Sequence, residues 1–159
     1  MGRRQRDSEH LVSKRLYSNH LNKIDIAADE NGIWLVYPNL YSEANHTLVM
    51  KLNGTRIEFV WNLTVDYHKV GDTFIVCGIL YGIESTTAPT THISFAYDLY
   101  HNKELKRLEE VGFTNPFIDT QYISYNARYQ KLYTWDNGNI LEYSLKIENK
   151  LDSKNEDDG

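Results

Sequence analysis

Two aspartates lie in apolar stretches of the sequence that are predicted to be buried, and buried carboxylates can hold a metal ion. Asp25 is flanked by Ile24 and Ile26, and Asp72 lies two residues before the first residue of the apolar run FIVCGIL. Burying an unpaired charge is very costly, so each acid needs a partner. Carboxylates and backbone carbonyls together form a set of hard oxygen donors that suits Ca²⁺. Two such acids near one axis could share a cation; salt bridges and exposed positions at a sheet edge are the alternatives that the sequence leaves open.

Other motifs that carry chemistry do not occur in the sequence. The six histidines form no HExxH pattern and no close pair, and there is one cysteine, so a zinc site has no support. No P-loop, GxGxxG or GxSxG motif occurs, and nothing fixes a nucleophile beside a base. Asp29 and Glu30 belong to the turn signal DENG, and Trp135 and Asp136 run into the hairpin signal NG. We interpret all four as turn residues, and none of them as catalytic.

The composition is that of an ordinary folded domain. Of 159 residues, 41% are hydrophobic and 25% are charged, which is enough apolar surface for one domain with a core. Twelve tyrosines raise the aromatic fraction to 13%, and tyrosine favours half-buried strands. The formal net charge of -5 argues against a nucleic-acid partner. No apolar run reaches the roughly 18 residues of a membrane span, and the start MGRRQRDSEH has neither a signal-peptide nor a myristoylation pattern.

Repetition predicts the architecture. The segments HTLVMKLN (46 to 53), HISFAYDL (92 to 99) and NILEYSLK (139 to 146) read as alternating strands, and a strand pair precedes each of them. A repeat of roughly 40 to 50 residues with about four strands is typical of propeller blades. Propellers usually have about four to eight blades, and this chain holds about three. We therefore expect two open apolar faces, and a fragment or a chain that completes itself with a partner.

The domain boundaries follow from polarity. Residues 1–20 form a polar N-terminal segment, 21–147 the folded domain, and 148–159 (ENKLDSKNEDDG) an acidic tail that is predicted to be disordered. The segment HNKELKRLEEVG (101 to 112) is interpreted as an outer strand and loop, with a short helix as the alternative.

Three sequons point to a secretory route. Asn45, Asn53 and Asn62 each begin an N-x-T pattern, and Asn53 also lies in an Asn-Gly turn signal. The sequons indicate the outside of the cell, whereas the N-terminus shows no leader; a missing N-terminal part would resolve the conflict. Cys77 lies inside an apolar run and is interpreted as a buried small hydrophobe, with a disulfide to a partner outside this chain as the alternative.

Four motifs together carry a family resemblance. DIAADENGIWLVY, GDTFIVCGILY, HISFAYDL and YISYNARYQKLYTWDNGNILEYSL are similar to the second half of an olfactomedin domain, in order and over about residues 22–147. The resemblance implies an all-β, five-bladed propeller of which roughly the first two blades are absent here. It implies a secreted or cell-surface glycoprotein that binds extracellular proteins and has no enzymatic activity. It also implies that Cys77 bridges to a cysteine near the start of the complete domain, and that oligomers form through upstream segments.

The same resemblance implies a structural calcium site. Asp25 would supply a side-chain ligand, Asp72 stands where the family often has Asn, and the backbone carbonyls of Thr73 and Ile123 would complete the set. Ser124 replaces the usual Asp. Two carboxylates remain after these exchanges, so we expect a retained but rewired Ca²⁺ site.

Three functions are compared on this basis. An extracellular recognition module has the support of the resemblance and the sequons. A cytosolic, calcium-independent scaffold is the alternative, and glycan occupancy separates the two. A glycoside hydrolase would need two carboxyls facing a sugar cleft, for which the sequence gives no further support.

Overall fold

A computed structural model describes residues 16–18, 23–105 and 111–146. This part of the chain is all-β, with three antiparallel sheets and one 3₁₀ turn at Tyr67–Lys69. None of its elements is a helix long and apolar enough to cross a membrane. The predicted acidic tail and most of the predicted polar N-terminal segment lie outside the described residues.

Each sheet is built from consecutive strands in the order of the chain. Sheet one contains β1 (Asp25–Asp29), β2 (Gly32–Pro38), β3 (His46–Asn53) and β4 (Arg56–Asp66). Sheet two contains β5 (Asp72–Val76), β6 (Ile79–Ile83), β7 (Thr90–Asp98) and β8 (Lys103–Glu104), and β9 (Gly112–Thr114) pairs with the other end of β7. Sheet three contains β10 (Thr120–Asn126), β11 (Lys131–Asp136) and β12 (Asn139–Ser144).

The arrangement of the sheets is that of a partial propeller. The first strands of the three sheets, β1, β5 and β10, lie against one another. A set of up-and-down sheets whose first strands meet at one axis is the propeller arrangement. Each predicted strand of the repeat is therefore confirmed. In the segment 101–112, strand and loop are found at 101–105 and 111–112, whereas residues 106–110, the centre of the helix alternative, lie outside the described residues.

Local turn chemistry explains the hairpins. Asn137 and Gly138 have φ angles of 47° and 83°, as a type I′ turn requires, so the predicted turn is confirmed. Cys77 and Gly78 form a second turn of this kind, with φ angles of 51° and 76°. Cys77 is exposed at this turn, so the prediction that it is a buried hydrophobe was wrong. The apolar run around it divides into β5 and β6, which confirms the predicted strand pair.

Two apolar cores lie between the sheets. The core of sheets one and two includes Trp34, Val49, Leu80 and Leu99, all fully buried. The core of sheets two and three includes Ile83, Ile123 and Leu132. Leu16 and Tyr17 also pack in the first core, so the folded part of the chain begins before the predicted boundary at residue 21.

The outer sheets each leave one face exposed, as the count of three units predicts. On sheet one, Ile26, Leu35, Met50 and Val60 form a row of paired positions, and both end residues of the row are more than half exposed, at 59% and 52%. We call this surface, with Ile24 and Ile33, the open face of sheet one. On sheet three the corresponding row consists of Tyr122, Trp135 and Ile140, which are 43%, 45% and 68% exposed. We call that row the open face of sheet three.

Candidate cation site between the first strands

Strand alternation turns Asp25 away from its isoleucine neighbours and into the protein. Asp25 is 6% exposed, whereas Ile24 and Ile26 are 56% and 59% exposed. Asp72, at the start of β5, is 4% exposed. The two acids face each other closely enough that the charge of Asp25 raises the pKa of Asp72. Exposed edge positions, one of the alternatives left open by the sequence, are therefore excluded.

Backbone groups from two sheets fix the carboxylate of Asp72. The N–H of Thr73 donates to Asp72 Oδ1 at 2.8 Å, and the N–H of Ile123 also donates to this carboxylate. Thr73 and Ile123 are each 3% exposed. The structure thus brings four of the five predicted site residues together: two acids and the two residues whose carbonyls were assigned to the ion.

Ser124 is placed differently. It pairs with Tyr133 and shares the face of β10 with Tyr122, the face opposite Ile123. Among the described residues, no hydrogen bond connects its hydroxyl to either aspartate. The serine that stands in place of the usual aspartate is therefore half-buried on the outward side of sheet three.

Hydroxyl groups surround Asp25, and one of them comes from a residue that the sequence did not single out. Tyr17 donates its hydroxyl proton to Asp25 Oδ2 at 2.9 Å and also contacts Thr73 Oγ1. Thr73 Oγ1 lies 3.5 Å from the same Oδ2. Tyr17 is 3% exposed, and burial together with the charges of Asp25 and Asp72 raises the pKa of its phenol well above the usual value. The phenol is therefore a neutral donor at this site.

The electrostatics of the pair call for positive charge. Burial raises the pKa of Asp25, and burial followed by the charge of Asp25 raises that of Asp72 well above its usual range. None of the ion pairs in the described part of the chain includes either acid. The salt-bridge alternative thus finds no counterpart in the ranges described. Two buried carboxylates for which the described ranges supply no charged partner are stabilised by a proton or by a cation.

The donor set fits Ca²⁺ by its chemistry. The described groups that contact the two acids are hydroxyls and backbone N–H groups; the hydroxyl and carboxylate oxygens among them are hard donors of the kind that Ca²⁺ prefers. No cluster of three His, Cys, Asp or Glu side chains that could hold a metal occurs in the residues described. A site here therefore depends on two carboxylates plus neutral oxygens.

The turn after β1 connects sheets one and two, which its sequence did not predict. Asp29 accepts hydrogen bonds from Asn31 N at 2.8 Å and from Trp34 Nε1 at 2.7 Å within its own hairpin. It also accepts one from Gly78 N at 2.7 Å, in the β5–β6 turn of sheet two. The turn interpretation of Asp29 is correct, but its carboxylate has a larger role in joining two sheets.

Glu30 extends this connection to sheet three. It accepts hydrogen bonds from Cys77 N at 3.2 Å and from the hydroxyl of Tyr125. Partial burial would raise the pKa of Glu30, but these hydrogen bonds outweigh it and lower the pKa below the usual value. Partial burial and the charge of Glu30 raise the pKa of the Cys77 thiol. We call Asp29 and Glu30 the clasp, because they join all three sheets at one end of the axis.

Asp136 also does more than its turn signal indicates. It is fully buried, and its carboxylate accepts the backbone N–H groups of Phe117 and Asp119, each at 2.8 Å. It thereby holds the loop before β10. Trp135 is half exposed on the open face of sheet three.

The three sequons differ in accessibility. Asn53 and Asn62 are exposed, at the β3–β4 turn and on β4. Asn45 is half-buried, and its Oδ1 accepts a hydrogen bond from the hydroxyl of Tyr67 at 3.4 Å. Its sequon threonine, Thr47, is 3% exposed.

Comparison with known proteins gives one consistent result. The family model described as olfactomedin-like domain matches residues 3–150. Myocilin of Felis catus is 35% identical over 127 residues, which cover 78% of this chain and 25% of that protein. Myocilin of Homo sapiens is 33% identical over 127 residues, covering 78% of this chain and 24% of that protein. The chain thus spans about a quarter of the length of these relatives.

Proposed function

Because the chain belongs to the olfactomedin-like domain family, we propose that it is a non-enzymatic module that recognises extracellular or cell-surface proteins. The observation that carries the proposal is the family match over residues 3–150, which agrees with three sheets arranged as propeller blades. The exposed sequons at Asn53 and Asn62 support a position outside the cell. Since the chain covers a quarter of its relatives, the partners of the whole protein are part of the proposal.

The geometry argues against the use of the acids in glycoside hydrolysis. Such an enzyme needs two carboxyls about 5 to 9.5 Å apart on either side of a sugar. Asp25 and Asp72 are 6% and 4% exposed and are packed against Tyr17 and Thr73. A sugar ring does not reach carboxyls buried in this way, so a structural use of the pair is the better explanation.

That structural use is the binding of Ca²⁺. Asp25 and Asp72 would hold the ion through their carboxylates, and Thr73 and Ile123 through their carbonyls. When bound, the ion supplies two positive charges that offset the repulsion between the acids. Because Asp25 lies in sheet one, Asp72 in sheet two and Ile123 in sheet three, the site would stabilise the meeting point of all three sheets.

Further propeller blades are proposed as the cover of the two open faces. The row Ile26, Leu35, Met50 and Val60 resembles the inner faces that pack in the two cores, because it is apolar across the whole sheet. Exposed apolar surface of this extent is typical of an interface that lacks its partner. The family resemblance, with its five blades, supports neighbouring blades as that partner.

Calcium titration of the full chain tests the ion site. We expect heat of binding for the unmodified protein, and its loss in Asp25→Ala and in Asp72→Ala. Glu104→Ala is the matched control, because Glu104 is an exposed carboxylate on β8. The same binding heat in Asp25→Ala and in the control would show that no ion depends on the acid pair.

Binding to intact cells tests recognition separately. The labelled chain is expected to bind cell surfaces in a manner that protease treatment of the cells abolishes. Mass spectrometry of the protein from its natural source should find glycan at Asn53 or Asn62. Protein without glycan at any of the sequons and without surface binding would favour the cytosolic, calcium-independent scaffold.

A further inference from the structure

Tyr17 reaches the acid pair from outside the three sheets. It precedes β1, yet its hydroxyl donates to Asp25 Oδ2 at 2.9 Å and contacts Thr73 Oγ1 of sheet two. Its ring is buried in the core of sheets one and two. The next residue fixes the backbone, because Ser18 N donates to the carbonyl of Val70 at 3.1 Å. Tyr17 is therefore held in place by the contacts of its side chain and by the backbone hydrogen bond of the next residue.

The backbone of Tyr17 is strained, which indicates that the contact is maintained by its surroundings. Its φ angle is 67°, in the left-handed region that bulky residues rarely adopt. Such a conformation persists only where packing and hydrogen bonds over-determine it. The buried ring and the hydrogen bonds to Asp25 and Val70 supply that restraint.

The hydroxyl of Tyr17 lies on one of the two oxygens that Asp25 would offer to a cation bound in the bidentate mode. Tyr17 directs its proton at Oδ2 of Asp25. A cation held by Asp25 needs the lone pairs of that carboxylate, and the donors that Ca²⁺ takes from proteins are carboxylates, carbonyls and water. A phenol that donates its proton satisfies the acid but adds no ligand of that kind.

We propose that Tyr17 sets the cation affinity of the site by competing with the ion for Asp25. In the absence of a cation, the hydrogen bond from Tyr17 helps to satisfy the buried carboxylate; bidentate binding of the ion by Asp25 requires that hydrogen bond to be given up. The proposal rests on the calcium site proposed above. It makes Tyr17 a residue that determines affinity, not a ligand.

Tyr17→Phe tests the competition, because it removes the hydroxyl and keeps the ring in the core. Calorimetric titration of the full chain with Ca²⁺ should show affinity about tenfold tighter or more in this variant, since a hydrogen bond to a charged group is lost only from the ion-free state. In chelator, the Tm of Tyr17→Phe should fall further below that of the unmodified protein than it does in saturating Ca²⁺. Tyr122→Phe, an exposed tyrosine on sheet three, should leave both measurements unchanged.

A second variant tests the same competition in case Tyr17→Phe does not fold. Thr73→Val keeps the shape and the backbone carbonyl of Thr73 but removes the hydroxyl that contacts Tyr17, and it should also tighten Ca²⁺ binding. Unchanged or weaker affinity in both variants, while Asp25→Ala abolishes binding, overturns the competition and leaves the ion site standing. Absence of binding in every protein overturns the ion site and the competition together.

Discussion

Replacing Asp29 with alanine should destabilise the protein far more than its position in a turn suggests. The carboxylate accepts hydrogen bonds from Trp34 Nε1 and Gly78 N, each at 2.7 Å and each buried. Alanine would leave both donors without an acceptor inside the core of sheets one and two. Each buried, unsatisfied donor costs about 1 to 3 kcal/mol, so the two together predict a loss of about 2 to 6 kcal/mol. That is a large part of the roughly 5 to 15 kcal/mol that stabilises a typical domain.

A matched aspartate separates this effect from an ordinary turn effect. Asp66 accepts one solvent-exposed hydrogen bond, from His68 N at 3.0 Å, at the start of the 3₁₀ turn. Asp66→Ala should cost about 1 kcal/mol, as the loss of a capping side chain usually does. Urea unfolding of the full chain, followed by tryptophan fluorescence, measures both variants against the unmodified protein. If Asp29→Ala is no less stable than Asp66→Ala, the carboxylate of Asp29 does not join sheets one and two as argued.

Three further predictions concern single positions. A Cβ atom at Gly82 would lie 2.0 Å from the ring of Phe95, so Gly82→Ala should cost about 1 to 3 kcal/mol in urea unfolding, whereas Gly112→Ala, with open space around it, should be neutral. The pKa of Glu30 is lowered in the folded protein, so ionised Glu30 stabilises the fold above the usual pKa of 4.5, and this stabilisation is lost as the pH falls through the lower, folded value. Glu30→Gln should therefore make the fall in Tm below pH 4.5 less steep. An equally steep fall in this variant would exclude Glu30 as the cause of the acid destabilisation. Cys77 is exposed, so iodoacetamide should modify it in the native chain. Because the pKa of the thiol is raised, the rate of modification should still increase above pH 9.0. If the cysteine of protein purified without reductant is not modified, a disulfide to another chain or segment is indicated instead.

The strands and most turns could be predicted because their signals are local. Alternating side chains and the Asn-Gly pairs fix β3, β11 and β12 with little influence from the rest of the protein. The interpretation of Cys77 failed for the same local reason. Gly78 is the only turn signal in an otherwise apolar run, so the sequence predicted a strand pair here without placing its type I′ turn at Cys77 and Gly78.

The missed residues at the site act over long distances in the chain. Tyr17 lies in a segment of polar composition, and nothing in its neighbours indicates that its hydroxyl meets Asp25 and Thr73. Glu30 binds Tyr125, and Asp136 binds the backbone of Phe117 and Asp119. Turn signals locate Glu30 and Asp136 correctly, but the partners of their carboxylates follow only from the packing of the sheets.

Strand β1 shows why residue type and pattern could not distinguish a binding acid from a structural one. Asp25 and Asp29 stand at its two ends, on the same face, and both are buried. Asp29 is surrounded by fixed N–H donors, so its negative charge is satisfied by the protein itself. Asp25 accepts hydrogen bonds from two hydroxyls and from the backbone N–H of Ile26, and it faces a second acid, Asp72, whose pKa its charge raises. Side-chain alternation predicts that both aspartates are buried. The groups around them differ, because N–H donors occupy the lone pairs of Asp29, whereas the Asp25 carboxylate keeps lone pairs that a cation could use.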